Sequence, residues 1–148
     1  MFRGSSFHTI DAKGRIIVPV RFRSLIQAGG GNGVMISRLD NGLVAYPFDE
    51  WAGIEKSIMA APQKDGLMRR FIRVFIGSAA ECFCDKQERI LIPLPLRQYA
   101  GLEKEIVLIG VLSHFEIRSR ENWDKENTQQ EDDMAQAEVG AEIAKLLL

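Results

Sequence analysis

Apolar residues in this chain come in short runs, and the runs return. "RIIVP" at positions 15–19 opens on an arginine and closes on a proline, and "RILIP" at 89–93 does the same. Polar turn signals, "DAKG" and "DKQE", precede the two runs. Asp11 and Asp85, Arg15 and Arg89, Ile16 and Ile90, Pro19 and Pro93 therefore recur at a constant offset of 74. After each proline the period changes. Phe22, Leu25 and Ile26, and later Leu96, Tyr99 and Ala100, fall at i, i+3, i+4. That spacing predicts short helices with proline at the first position, where its missing N–H costs nothing. Gly101 is placed as the second helix's C-terminal cap. The β-rich pair "VMISRL" and "LVAYP" is then answered by "IVLIGVL" and "FEIRS". The offset here is 72 (Leu43 and Phe115, Ala45 and Ile117, Trp51 and Trp123), so the second copy lacks two residues. The loop "GGGNG" is the simplest place for the loss.

Each half thus reads strand, turn, strand, short helix, strand, turn, strand, and a helix carrying a tryptophan. The expected organisation is a first repeat over 5–49, a helical linker over 50–78, a second repeat over 79–122 and an acidic tail over 123–148. In the opening turn Asp11 is positioned to accept backbone N–H bonds, and Gly14 permits positive φ. "FHTI" and "RIIV" are expected to pair as a hairpin around it. The second copy has Glu88 in the glycine's place. A left-handed residue with a side chain costs on the order of 1 kcal/mol, so this turn is expected to differ in shape or in use.

The linker predicts two helices broken near Pro62 and Gly66. Trp51, Ile54 and Ile58 line the first, and Leu67, Phe71, Val74 and Phe75 line the second. Arg69, Arg70 and Arg73 on another side read as a solvated face. The tail, polar until "AEIAKLLL", reads as a loose helix with much of it mobile. Four-strand halves are too small to close separate cores, so the two should combine, covering each other's strand edges. The fold class expected is α+β, mainly β: one pseudo-twofold barrel from tandem repeats, with flanking helices and both Asp-x-x-x-Arg turns on one side.

Composition adds limits. A 148-residue chain with 46% hydrophobic residues can bury one sizeable core. No signal-peptide h-region opens the chain, and no stretch is apolar enough to span a bilayer. Cys82 and Cys84, two apart, read as cytosolic free thiols. The net charge of −1 hides an asymmetry, since residues 121–148 hold eight acidic and two basic side chains. The remaining body is mildly basic, a pattern compatible with nucleic-acid contact. Enzyme chemistry finds little footing. His8 and His114 lack neighbours at metal-ligand spacing, Cys82 and Cys84 cannot complete a zinc site, and "AGGGNG" lacks the Lys-Ser/Thr of a phosphate loop. No catalytic residue, metal, cofactor or small-molecule substrate is expected.

Taken in order, "MFRG", "DAKGRIIVP" followed by "FR", "YPFDEW", "AAEC", "DKQERILIP", "LRQYAGL" and "FEIR" with Trp123 resemble the MraZ family. These are bacterial transcriptional regulators of the AbrB-like, swapped-hairpin barrel class, and the resemblance spans nearly all of residues 1–123. It implies a cytoplasmic, nucleoid-associated protein that forms rings and binds double-stranded DNA at short G-rich direct repeats. It also implies repression of a division and cell-wall gene cluster through the cluster's own promoter. The family's Asp-x-x-x-Arg motif falls on Asp11/Arg15 and Asp85/Arg89, with Glu88 departing from the usual glycine.

The residue chemistry agrees. An arginine steadied by an aspartate can offer a bidentate fork to guanine. Lys13 would meet phosphate, Gly14 would let the backbone approach, and Arg3 and Lys86 are further candidates for backbone contacts. With only two such turns per chain, a homo-oligomer larger than a dimer is expected, gaining affinity through effective concentration. The alternative is an oligomeric protein-binding barrel of antitoxin or scaffold type.

Overall fold

The computed structural model describes residues 1–62 and 65–147. The first half runs β1 (Ser5–Thr9), β2 (Arg15–Ile17), α1 (Val20–Ala28), β3 (Gly33–Leu39), β4 (Gly42–Pro47) and α2 (Phe48–Ala60). α3 (Gly66–Gly77) leads into the second half. There β5 (Ala80–Phe83), β6 (Arg89–Leu91), α4 (Leu94–Ala100), β7 (Glu105–Gly110), β8 (Phe115–Ser119) and α5 (Arg120–Met134) follow in the same order. α6 (Ala137–Leu147) comes last. The expected break between the linker helices falls between Ala60 and Gly66. Gln63 and Lys64, within that break, and Leu148 lie outside the described residues.

Strand pairing is antiparallel throughout and crosses between halves. Six strands form one sheet in the order β1-β7-β8-β4-β3-β5, and β2 pairs with β6 in a separate two-stranded ribbon. β1 pairs with β7, joining Ser6 to Leu108 and Thr9 to Glu105. The equivalent strands β5 and β3 join Ala80 to Ile36 and Phe83 to Gly33. Those are the same pairs after the 74- and 72-residue offsets. β4 and β8 meet around Val44 and Glu116, and the ribbon meets around Ile16 and Ile90. Both central pairs are related by the sequence repeat, so a pseudo-twofold axis passes between their strands.

Three expectations need correction. The chain is not mainly β, because among the described residues its helices hold more residues than its strands. The hydrogen-bonded strands do not close into one barrel; the large sheet is open, with β1 and β5 at its edges. The β1–β2 hairpin also does not form beyond its turn. Asp11 N–H donates to the Arg15 carbonyl at 3.0 Å, but Ile10 N–H already donates to Lys104 at 2.8 Å. The hydrogen-bonding edge of β1 is thus taken by the other half's third strand, and β2 is left to pair with its own counterpart. The ends of the ribbon are stitched the same way, with Val18 N–H on the Glu88 carbonyl and Ile92 N–H on that of Gly14. A smaller correction concerns the prolines. Pro19 and Pro93 stand one place before their helices, as cap residues with extended backbone. Gly101, at φ 65°, caps α4 as expected.

The main core lies between the ribbon, the short helices and one face of the sheet. Ile16, Ile90, Val18, Ile92, Phe22, Leu96, Ile106, Leu108, Phe115 and Ile117 are buried in it. A second cluster of Val44, Trp51 and Phe75 seats the linker helices on the sheet's other face. Ser37, fully buried there, donates from Oγ to the Phe75 carbonyl at 2.6 Å. Alternate residues of β4 therefore serve the two clusters, Leu43 and Ala45 on one side and Val44 on the other. Cys82 is buried and Cys84 half-buried, both free, and burial pushes the Cys82 thiol up to about 11.

The tail is helical, in two segments. Ser119 caps α5 by accepting from Asn122 N–H at 3.1 Å, and Glu121 pairs with Lys125 one turn on. No residue of α5 or α6 is buried, so these helices add little to the core.

The ribbon's central pair sets a stability test. Ile16→Ala and Ile90→Ala each remove a fully buried side chain and should cost about 2–5 kcal/mol. Urea denaturation of the two variants should give similar losses. A loss below about 1 kcal/mol in one, with the other inside that range, would show that the two positions are not equivalent in packing.

Candidate nucleic-acid interface

In each repeat the first strand is followed by the same five-residue turn. Asp11 Oδ1 accepts from the Lys13 and Arg15 backbone N–H groups at 3.0 and 2.9 Å, and Oδ2 accepts from Arg15 Nε at 2.7 Å. Asp85 Oδ1 accepts from Gln87 and Arg89 N–H at 2.8 and 2.9 Å, and Oδ2 from Arg89 Nε at 2.9 Å. The reason is local. An aspartate at the first turn position reaches the amides two and four residues on, and its second oxygen remains for the guanidinium above. Both carboxyls are held below the ordinary carboxylate range, first by the N–H of their own arginine. For Asp11 the value falls to about 2.

The clamp uses Nε alone, which leaves the terminal nitrogens of each guanidinium free of these bonds. Register then decides where they point. Arg15 lies opposite Leu91, and Ile17 opposite Arg89. With side chains alternating across a strand, these four share one face of the ribbon while Ile16 and Ile90 face the core. Ile17 and Leu91 are more than half exposed. Arg15 and Arg89 are thus diagonal neighbours on a solvent-facing ribbon, roughly 7–8 Å apart. Their turns lie at opposite ends of the ribbon, while the two arginines share its outer face.

Glu88 does not reshape its turn. It takes φ 64° where Gly14 takes 91°, and both turns close with the same backbone bonds, Gly14 or Glu88 N–H to its aspartate carbonyl at 3.0 Å. The halves differ in what lies above. In the first turn a Cβ on Gly14 would collide with Nε and Cζ of Arg97. In the second, Glu88 Oε2 forms an ion pair with Arg23 Nη1 at 3.0 Å. Arg23 and Arg97 are equivalent across the repeat and are held alike, Nε on the carbonyls of Val18 and Ile92 at 3.1 and 2.8 Å. The 74-residue offset carries both, yet neither was singled out from sequence, because an arginine inside an amphipathic helix reads as a solvated position.

Lys13 and Lys86 are exposed on their turns. Arg3 is not brought to them. It lies beyond the opposite end of β1, next to the bridge between Phe2 and Leu112. Arg70 and Arg73 are exposed on α3, away from the ribbon.

These features define a tandem-repeat protein of mixed α and β structure, its sheet antiparallel, with two aspartate-clamped arginines on one ribbon face. One family profile, described as "MraZ protein, putative antitoxin-like", matches residues 1–74 and again 75–141. The chain is 62% identical over 146 residues to a protein of Desulforapulum autotrophicum and 53% identical over 146 residues to one of Desulfosudis oleivorans, covering 99% of each chain in both cases. A third, from Desulforamulus reducens, is 46% identical over 131 residues, covering 88% of this chain and 90% of its own. All three are named Transcriptional regulator MraZ. The chain belongs to the MraZ family.

Two predictions follow the turn geometry. A depressed folded-state carboxyl contributes stability that is present above its unfolded value and is lost as pH falls through its folded value. For Asp11 that window runs from the ordinary 3.8 down to about 2. Carboxyl carbon shifts followed by NMR should place the midpoint near the lower end; a midpoint at the ordinary value would mean the clamp does not form in solution. Gly14→Ala forces a side chain into positive φ and against Arg97, and should cost about 1–3 kcal/mol. Thermal melting should show this, and an unchanged melting temperature would count against the Arg97 packing.

Proposed function

We propose that this chain is a sequence-specific DNA-binding transcriptional regulator, and that the β2–β6 ribbon with its flanking turns is the DNA-reading surface. One observation carries the reading: Arg15 and Arg89 stand on one exposed face, each fixed through Nε by its own aspartate. A two-stranded ribbon fits the major groove, and a pre-positioned guanidinium is the side chain suited to guanine O6 and N7. Lys13 and Lys86 would meet phosphates, which position the protein without reading sequence, while the Gly14 backbone lies covered by Arg97. The relatives' name supports a regulatory role.

The fuller proposal has repeats over 5–49 and 79–122 joined by a linker over 50–78, with an acidic tail over 123–148. In it the protein is cytoplasmic and nucleoid-associated, and assembles as a homo-oligomeric ring. It binds short G-rich direct repeats and represses the division and cell-wall gene cluster from that cluster's promoter. Among the described residues no helix is long and apolar enough to cross a membrane. A second reading, a protein-binding scaffold or antitoxin, draws on α3, whose Leu67, Met68, Phe71 and Val74 are exposed.

Fluorescence anisotropy with duplex from upstream of the protein's own gene, beside a scrambled duplex, separates the readings. Arg15→Ala should cost about 1–3 kcal/mol and relax discrimination at a guanine. Lys13→Ala should weaken all sequences alike and lower the salt slope by about one. Arg15→Ala binding as tightly as the parent would exclude the ribbon as the reading surface. Light scattering should return a mass above that of a dimer; a monomer with binding intact would exclude the ring.

A further inference from the structure

We infer that Arg97 is a phosphate-binding residue of the first turn, and that Glu88 silences its counterpart Arg23, so that the chain grips DNA unequally at the two ends of the ribbon. The inference rests on the ribbon being the DNA surface. It begins from Glu88, which puts a carboxylate in the second turn where the first has Gly14.

Arg97 is fixed without being neutralised. Its Nε donates to the Ile92 carbonyl at 2.8 Å, and Ile92 N–H donates to the Gly14 carbonyl at 2.8 Å, so the guanidinium is tied to the turn through one intervening residue. It lies over Gly14, in the space a side chain would occupy. Among the described residues no carboxylate pairs with it, and its terminal nitrogens have no protein partner. Lys13 and Arg15 stand on the same turn. Three cations thus gather around one carboxylate, Asp11, at a point where the backbone carries no side chain. The guanidinium covers the Gly14 backbone, and its two free N–H edges are suited to receive a phosphate at the turn.

Around the second turn three cations face two carboxylates. Arg23 is held on the Val18 carbonyl at 3.1 Å as Arg97 is on Ile92. Its Nη1, however, lies 3.0 Å from Glu88 Oε2, and its side chain is 23% exposed. The pair presents no net charge to a phosphate. Arg89 keeps its clamp and its outward face, so the second turn retains a base-reading group and lacks the added backbone grip.

The test is the salt dependence of binding to the upstream duplex and to a scrambled duplex, by anisotropy over a range of salt, with the full chain. Each phosphate neutralised contributes about 0.9 to the slope of log affinity against log salt. Arg97→Gln should lower the slope by about one on both duplexes. Glu88→Gln, which frees Arg23, should raise it by about one, and Glu88→Gln combined with Arg23→Gln should return it to the parent value. Arg15→Ala serves as the control for the underlying reading. If it weakens binding while Glu88→Gln leaves the slope unchanged, the inference is overturned and the DNA surface stands, even should Arg97→Gln fail to fold. If Arg15→Ala binds like the parent, both are overturned.

Discussion

The β2–β6 ribbon is made of one strand from each half, and neither half can form it alone. Three residue pairs hold it, from Arg15 opposite Leu91 to Ile17 opposite Arg89, with Ile16 and Ile90 buried beneath. That single pairing fixes two things together. It closes the core from above, because the inward isoleucines pack over Phe22, Leu96 and the sheet. It also sets both arginines on the outer face, because a strand's alternation leaves Arg15 and Arg89 no other side. Slipping the register by one residue would bury both guanidinium groups and expose both isoleucines. The hydrophobic core therefore enforces the position of the polar surface.

The exchange of strands follows from the same constraint. A four-strand half would leave hydrogen-bonding edges open and apolar faces wet. Pairing β1 with β7, and β5 with β3, satisfies those edges using the other half. The turns then act as crossings between the large sheet and the ribbon. That is why Ile10 bonds to Lys104 while Asp11, the next residue, already belongs to the turn.

Much of this was legible in the sequence. The repeat, the order of elements, the helix after each proline and the Gly101 cap came from periodicity and turn chemistry, which act within a few residues. Strand partners did not. "FHTI" and "RIIV" are compatible with a hairpin or with an exchange, and only competition among distant edges decides between them. The site shows the same division. Asp11 and Arg15, four apart, announce their clamp. Arg97 and Gly14 are far apart in the chain, and their contact depends on the tertiary stitching of Ile92 to the turn. The tail's helix was legible for a local reason, since a serine cap and i,i+4 pairs favour it despite the polar composition.

Glu88 is the informative departure from symmetry. Its left-handed backbone costs on the order of 1 kcal/mol relative to glycine. Its ion pair with Arg23 lies at the surface, with the carboxylate 43% exposed, and such pairs contribute about 0–1 kcal/mol. The two terms roughly cancel, so folding stability gives no strong reason to choose glutamate over glycine here. Glycine at position 14 is a different matter, since Arg97 fills the space above it. Equal turns would require either a second glycine, leaving Arg23 unneutralised, or a second glutamate, for which Arg97 would have to move aside. Within a duplicated frame the backbone is thus held alike in both halves, while one side chain sets the charge that each turn presents.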